Sequence, residues 1–129
     1  MDNIQKIIKH FFQAFDDADY ATMQNLLAKN LKSYITNAEG GVNLLEGSEA
    51  LMQGIKNLDI GNVTHSITVP QITTIKPTQA MVMFEIKAER KGKKLHNHAA
   101  YLMDFDSDHK ICKIHMVEAL PAYSDEFWK

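Results

Sequence analysis

Two histidines in the sequence are spaced in a way that suits metal binding. His96 and His98 flank Asn97, and residues two apart in a β-strand project from the same face. Imidazole nitrogens bind zinc, and a zinc site needs three or four converging ligands. His115 is the candidate for a third ligand, across a predicted hairpin. The pattern alone leaves two alternatives, a metal site and a group of histidines at a subunit interface.

A carboxylate near the end of the chain is a second candidate for chemistry. If the segment around it is a regular strand, Glu118 shares a face with Met116 and Ile114. This arrangement would place a carboxylate on an apolar face, where it could stand at the edge of a binding site. The alternative is a glutamate that faces solvent or a partner subunit.

The N-terminal part of the chain is predicted to be helical. Six apolar residues recur there at helical spacing, with polar residues between them, which indicates an amphipathic helix. They are Ile4, Ile7, Ile8, Phe11, Phe12 and Phe15. The acidic segment 16–19 favours a turn, a short second helix follows over 20–27, and Ser48 is a suitable N-cap for a third helix.

The remaining segments are predicted to be strands. Two short strands are expected over 31–36 and 42–45. Four long segments follow, rich in β-branched and apolar residues and separated by turn sequences. They cover 63–75, 80–89, 95–105 and 110–120. The tight connections predict an antiparallel meander, and helices followed by strands predict an α+β domain with the helices on one face of the sheet.

Composition narrows the class of protein. The chain has 129 residues, which fits a single domain over 1–129. Its formal net charge of -2 offers no basic excess for a phosphate backbone, so nucleic acid is not an expected partner. No apolar run is long enough to span a membrane, and the N-terminus has no signal-peptide pattern. Cys112 is the single cysteine, so we expect no internal disulfide and a cytoplasmic location.

The order of these elements resembles the NTF2-like superfamily, and within it the SnoaL-like group of small bacterial proteins. The likeness is carried by FFQAFDDADY (11–20), VTHSI (63–67) and FDSDHKI (105–111), and it covers nearly the whole chain. His109 stands where the family usually has glycine, and histidine tolerates the left-handed backbone of such a hairpin. The resemblance implies a cystatin-like cone, in which three N-terminal helices pack on a curved, mostly antiparallel sheet. Such folds serve both enzymes and binding domains, so the fold does not decide the function.

Asp16 and His65 are the first candidate catalytic pair, because their positions resemble the active site of the scytalone dehydratase type. A carboxylate that bonds to one imidazole nitrogen fixes the tautomer and leaves the other nitrogen free as a general base or acid. The remainder of that site is not matched: Phe15 and Ile35 stand at tyrosine positions, and 81–83 lacks a second histidine. The alternative is that Asp16 caps the second helix and His65 is a satisfied core residue.

Tyr101 is the next catalytic candidate. By likeness of the last hairpin, it lies where ketosteroid isomerases carry an acid that donates a hydrogen bond to the substrate oxygen, and a phenol can also donate. That reaction also needs a carboxylate base on the strand over 31–36, which has none. We therefore do not expect ketosteroid isomerisation by that mechanism, and the alternative is a tyrosine that only lines an apolar wall.

The resemblance further predicts an apolar cavity between the sheet and the first helix. Its expected wall is mostly apolar, with a few polar points, which is typical of small-molecule sites. It comprises Phe11, Phe12, Phe15, Val63, Ile67, Phe84, Ile86, Met103, Ile114 and Met116, with the polar residues His65, Asn97, Tyr101 and Glu118. The alternative is that large side chains fill the cone completely.

In the same alignment the three histidines His96, His98 and His115 fall on the outer sheet face, where family members often dimerise. We therefore expect a homodimer through that face, with no metal ion and no cofactor. The expected function is binding of a small apolar molecule and, if the protein is catalytic, isomerase, cyclase or lyase chemistry by general acid–base catalysis. The alternative is a non-catalytic ligand-binding or dimerisation domain.

Overall fold

The computed structural model describes residues 3–129. These residues form four α-helices, a short 3₁₀ helix and six strands. In chain order these are α1 (Asn3–Asp16), α2 (Tyr20–Leu26), β1 (Leu27–Thr36), β2 (Val42–Glu46), α3 (Ser48–Asn57), the 3₁₀ helix (Ile60–Asn62), β3 (Thr64–Lys76), β4 (Gln79–Arg90), β5 (Lys93–Phe105), β6 (Ile111–Glu118) and α4 (Pro121–Trp128). None of these helices combines the length and apolar character needed to cross a membrane.

The six strands form one curved, open sheet in the order β2-β1-β6-β5-β4-β3. Strands β3 to β6 make the predicted antiparallel meander. Strand β1 pairs antiparallel with β2 but parallel with β6, so the N-terminal hairpin joins the meander at its last strand. The α+β class and the mostly antiparallel sheet are confirmed.

Helix α1 lies against the inner face of the sheet because of its apolar stripe. Ile4, Ile8, Phe11 and Phe12 are buried, while Lys9 and other polar residues between them face solvent. This 3.6-residue periodicity is what lets a helix bury one side only. The first helix therefore occupies the concave side of the sheet, as expected from the resemblance.

The free edge of the meander carries a proline. Pro70 lies inside the edge strand β3, where the register with β4 shifts between Thr68 and Gln71. Proline cannot donate a backbone hydrogen bond and is tolerated at edges and bulges. The irregularity also bends the strand, as bulges do.

Two local features differ from the sequence-based expectations, and a third agrees with them. The N-cap of α3 is Gly47, with φ of 90°, and Ser48 is already the first helical residue. The second helix ends at Leu26, so β1 begins at Leu27, four residues earlier than predicted. His109 adopts φ of 61° in the last hairpin, as expected for the position that replaces glycine.

The C-terminal helix α4 was not predicted from the sequence. Its residue Phe127 is buried against Val63, Ala88 and Leu95, in a small cluster separate from the main core. Polar contacts hold the same helix: Tyr123 donates from its hydroxyl to the Lys94 carbonyl at 2.7 Å. Helix α4 is thereby fixed across the end of the hairpin between β4 and β5.

Candidate active site

A cavity of about 280 Å³ lies between α1, α3, α4 and the inner face of the sheet. Its wall is mostly apolar. Of the predicted wall, the residues that line it are Phe11, Phe12, Phe15, Ile67, Phe84, Ile86, Asn97, Tyr101, Met116 and Glu118. A hollow is therefore present between the helices and the sheet, and its use as a ligand site stays a prediction.

Three of the predicted apolar wall residues do not line the cavity, and neither does His65. Met103 and Ile114 are fully buried in the main core, where they face each other across β5 and β6. Val63 precedes β3 and packs in the cluster around Phe127. Alternation along a strand predicts the face of a residue correctly but does not predict how far along that face the cavity extends.

Asn97 is the most constrained polar side chain of the cavity. It is 1% exposed, and its amide nitrogen donates to Glu118 Oε2 and to the Leu120 carbonyl, both at 3.1 Å. Its side-chain oxygen accepts from the backbone N–H groups of His98 and Leu120, at 2.9 and 3.2 Å. Both ends of the amide are therefore engaged, which fixes its orientation and points a donor at the carboxylate.

Glu118 lies at the end of β6, beside Ala99 of β5, and lines the cavity. Burial raises the pKa of the Glu118 carboxyl, although hydrogen bonds with Ser124 and Asn97 act in the opposite direction. A carboxyl with a raised pKa exchanges its proton more readily near neutral pH than an ordinary glutamate. This is the property required of a general acid or base.

Tyr101 lies two residues beyond Ala99 on the same face of β5, and its ring is held by two phenylalanines. The ring centroid of Phe84 is 4.8 Å away at 88°, and that of Phe12 is 5.8 Å away. Burial, and then the charge of Glu118, raise the pKa of the Tyr101 hydroxyl. The phenol therefore stays protonated and remains a hydrogen-bond donor within the cavity.

Asp16 and His65 are close together, but they do not line this cavity. His65 Nε2 is 3.3 Å from Asp16 Oδ1 and 3.0 Å from the Asp16 backbone carbonyl. The other ring nitrogen, Nδ1, is 2.8 Å from the Val63 carbonyl. Both nitrogens therefore face oxygen acceptors, and neither is left free to take a substrate proton. The pair connects the end of α1 to the start of β3. The expected roles were different: His65 as general base or acid, and Asp16 as the carboxylate that orients it.

Helices α3 and α4 contribute lining residues that were not predicted from the sequence, as do Ile35 of β1 and Leu45 of β2. Ser124 and Trp128 come from α4, and Leu51 and Ile55 come from α3. Ser124 is buried and forms a side-chain hydrogen bond with Glu118. The aromatic C-terminal tail was the available signal, since such residues usually dock, but nothing local identified Ser124 as polar support for the carboxyl.

The three histidines considered as metal ligands separate into two groups on the outer sheet face. His96 and His98 lie beside Glu85 on β4. His115 pairs instead with Leu102 and stacks on Tyr34, with ring centroids 4.6 Å apart. The expectation that His115 joins the other two across the hairpin is therefore wrong, because the register places it several residues farther along the sheet.

Comparison with known proteins identifies the fold. Bal32a, from a soil-derived mobile gene cassette, superposes with a TM-score of 0.84 at 17% identity, covering 98% of this chain and 96% of that one. An LEH-like epoxide hydrolase of M. tuberculosis gives 0.74 at 12% identity, covering 95% and 86%. RV0760c from Mycobacterium tuberculosis, in complex with estradiol-17beta-hemisuccinate, gives 0.74 at 12% identity, covering 90% and 93%. No protein-family model and no curated protein matches the sequence.

These likenesses define a class. Further structural matches are described as NTF2-like and as having a cystatin-like fold. The chain therefore has the NTF2-like, cystatin-like fold, as the order of its elements predicts. At these levels of sequence identity the comparison establishes the fold, and the chemistry has to be argued from the cavity.

Proposed function

We propose that this protein is a cofactor-independent enzyme that moves a proton on a small, largely apolar, oxygen-containing substrate. An isomerase, a cyclase or a lyase fits this description. The observation that carries the proposal is the Glu118 carboxyl, half-buried in the wall of an apolar cavity and oriented by the fully bonded Asn97. Apolar walls with a few convergent polar groups and a titratable group of shifted pKa are typical of active sites.

The proposed roles follow from the chemistry of each group. Glu118 acts as the proton shuttle: it gives a proton to, or takes one from, the substrate and restores its own state later in the cycle. Tyr101 stays protonated and donates a hydrogen bond to a substrate oxygen as negative charge develops there. Asn97 is a positioning residue, and the proton returns to Glu118 without any external oxidant or reductant.

Two structural neighbours support this choice. One is described as an LEH-like epoxide hydrolase and another as an epoxide hydrolase/cyclase-like enzyme, SalBIII. Opening an epoxide by an internal hydroxyl needs a proton donor at the epoxide oxygen and a proton acceptor for the hydroxyl. A single carboxyl that first gives and then regains a proton meets that requirement, so epoxides are the first substrates to test.

The proposal is tested with a panel of probe compounds: terpene epoxides, hydroxy-epoxides that can cyclise, β-hydroxy ketones and 3-oxo-steroids. Conversion is followed by mass spectrometry and NMR. We expect turnover of at least one class, reduced about 10²–10⁴-fold by Glu118→Gln and also reduced by Tyr101→Phe. Glu89→Gln is the matched control, because Glu89 is exposed on β4. Turnover that survives Glu118→Gln at the wild-type rate would exclude the assigned role.

A second candidate function is ligand binding without catalysis. It is favoured by the apolar wall of the cavity, and the neighbour RV0760c is described in complex with a steroid hemisuccinate. Thermal shift separates the two functions: a compound that stabilises both the wild type and Glu118→Gln, and is recovered unchanged, supports binding alone.

We further infer that two copies of the chain pair through the outer sheet face. A cross-strand row of largely apolar side chains runs over that face; this outer row consists of Leu44, Tyr34, His115, Leu102 and Met81. Beside it, Val117 is 52% exposed and Met83 47% exposed. A second copy is the occupant we infer, because an exposed apolar sheet face suits the isologous contact of a twofold dimer.

A further inference from the structure

A cluster of three potential metal ligands lies on the outer sheet face, away from the cavity. It consists of Glu85, His96 and His98, each of which offers one ligand atom within 4.8 Å of the others. His96 Nε2 is 2.6 Å from Glu85 Oε2, and His98 Nε2 is 3.6 Å from the same oxygen. The two imidazole rings lie 5.4 Å apart.

The strand register explains this convergence. Glu85 on β4 is directly opposite His98 on β5, and His96 is two residues away on the same face. Opposite side chains such as Glu85 and His98 are about 4.5–5.5 Å apart at Cβ, and diagonal ones such as Glu85 and His96 about 7–8 Å, which long side chains can still bridge to one shared ion. The backbone of the two histidines is also held in place. The His96 N–H donates to the Tyr123 hydroxyl, and the His98 N–H donates to the Asn97 side-chain oxygen.

We propose that Glu85, His96 and His98 bind a divalent transition-metal ion of the zinc class. Two imidazoles and one carboxylate supply three ligands, and solvent completes a tetrahedron. Ligand atoms 2.0–2.1 Å from a tetrahedral ion lie roughly 3.3 Å apart. The Glu85–His96 contact of 2.6 Å is shorter than this spacing, and the Glu85–His98 contact of 3.6 Å is longer. Small rotations of these partly exposed side chains therefore suffice to place three ligand atoms around one ion. Lys87, opposite His96, is the nearby cation whose charge acts on Glu85 and on a bound ion.

Zinc binding to the full-length, untagged chain tests this site. We expect isothermal titration with ZnCl₂ to give one ion per chain. His96→Ala and His98→Ala should each weaken binding about tenfold or more, since even the loss of an outer-shell partner costs 10–100-fold. Cobalt provides a second readout, because a tetrahedral site gives visible absorption bands that an octahedral aquo ion lacks.

His10→Ala is the matched control, because His10 is exposed on α1, remote from the cluster. It should bind zinc as the wild type does, and far-UV circular dichroism checks that every variant is folded. Three results would overturn the proposal: no saturable binding, equal affinity in the wild type and both cluster variants, or one ion per two chains, which would indicate an ion shared between subunits. None of these results depends on whether the cavity is catalytic.

Discussion

At the scale of single residues, the cavity is organised by one amide. Asn97 is buried and makes four hydrogen bonds, three of them to backbone groups of β5 and of the segment that leads into α4. The fourth reaches the Glu118 carboxylate. The orientation of the proposed proton shuttle therefore depends on a side chain that is itself held by the main chain.

Replacing Asn97 with leucine should destabilise the fold. Leucine fills a similar volume but leaves the Leu120 N–H and carbonyl without their partner, at a cost of about 1–3 kcal/mol for each buried group left unpaired. Urea unfolding measures the change in the free energy of unfolding. Asn30→Leu, at an exposed position on β1, is the control. Equal stability of the two variants would contradict the role given to Asn97.

The Glu118 carboxyl makes stability depend on pH in a defined direction. Burial raises its pKa above the ordinary value of 4.5, so the folded state favours the protonated form. The stabilising contribution is complete below the ordinary value and is lost as pH rises through the folded value. Glu118→Gln should therefore melt at a higher temperature than the wild type at pH 8. The difference should shrink as pH falls through the folded pKa towards 4.5 and stay constant below 4.5.

Melting curves of both proteins across pH 3 to 8 give this measurement. Glu89→Gln, at an exposed site, controls for the loss of one negative charge. A wild type that is more stable than Glu118→Gln at pH 8 would mean that the hydrogen bonds with Asn97 and Ser124 outweigh burial.

At the scale of elements, α4 depends on its docking. The helix has 8 residues, too short to be stable alone in water. It is held by Phe127 in its apolar cluster and by Arg90, which donates from Nη1 to the Trp128 carbonyl at 2.9 Å. Because Ser124 and Trp128 line the cavity, the docking of this helix also completes the site.

Phe127→Ala should destabilise the protein by about 3–5 kcal/mol, as expected for truncation of a buried phenylalanine. Trp128 is the single tryptophan of the chain, so its fluorescence reports on the helix directly. We expect a red-shifted emission in the variant. Asp125→Ala, at an exposed position on the same helix, should change neither quantity; a similar loss in both variants would argue against docking by Phe127.

The elements also show what the sequence can predict. The long strands were predictable because β-branched runs end at recognisable turns, and α1 because its apolar residues recur at helical spacing. Helix α4 was not, because its stability comes from contacts with Val63, Ala88 and Leu95, which are distant in sequence. The parallel pairing of β1 with β6 is missed for the same reason: long-range pairing leaves no local pattern.

The candidate site shows the same limit. Glu118 was predicted to face the cavity from strand alternation, and Asn97 and Tyr101 from the family resemblance; all three line it. Their coupling was not predicted, since the Asn97–Glu118 hydrogen bond depends on how β5 and β6 are aligned. The contact between Asp16 and His65 was anticipated, but the carbonyl that occupies the second ring nitrogen is a backbone atom, which sequence reasoning does not place.

At the scale of the whole molecule, the apolar outer face should make the protein a dimer. Val117 and Met83 flank the outer row and are about half exposed in the single chain. Val117→Asp should weaken self-association at least tenfold, because a dimer would have to bury an unpaired carboxylate. Light scattering after size exclusion, over a range of micromolar concentrations, measures the mass. Ile75→Asp, at an equally exposed apolar position near the end of β3, is the control.

A wild-type mass of one chain at all concentrations would exclude this pairing. A dimer that tolerates Val117→Asp as well as it tolerates Ile75→Asp would place the contact elsewhere on the molecule.

Strand β5 separates the cavity from the outer face of the sheet by a single layer of backbone. Residues 96 and 98 project to the outside and residue 97 to the inside, so three consecutive side chains sample both. Binding in the cavity and binding on the outer face therefore act on the same stretch of backbone. No other element lies between them, so a backbone displacement caused on one side is felt on the other. The amide resonances of this tripeptide offer one spectroscopic window through which occupancy of the interior and occupancy of the exterior can be followed together.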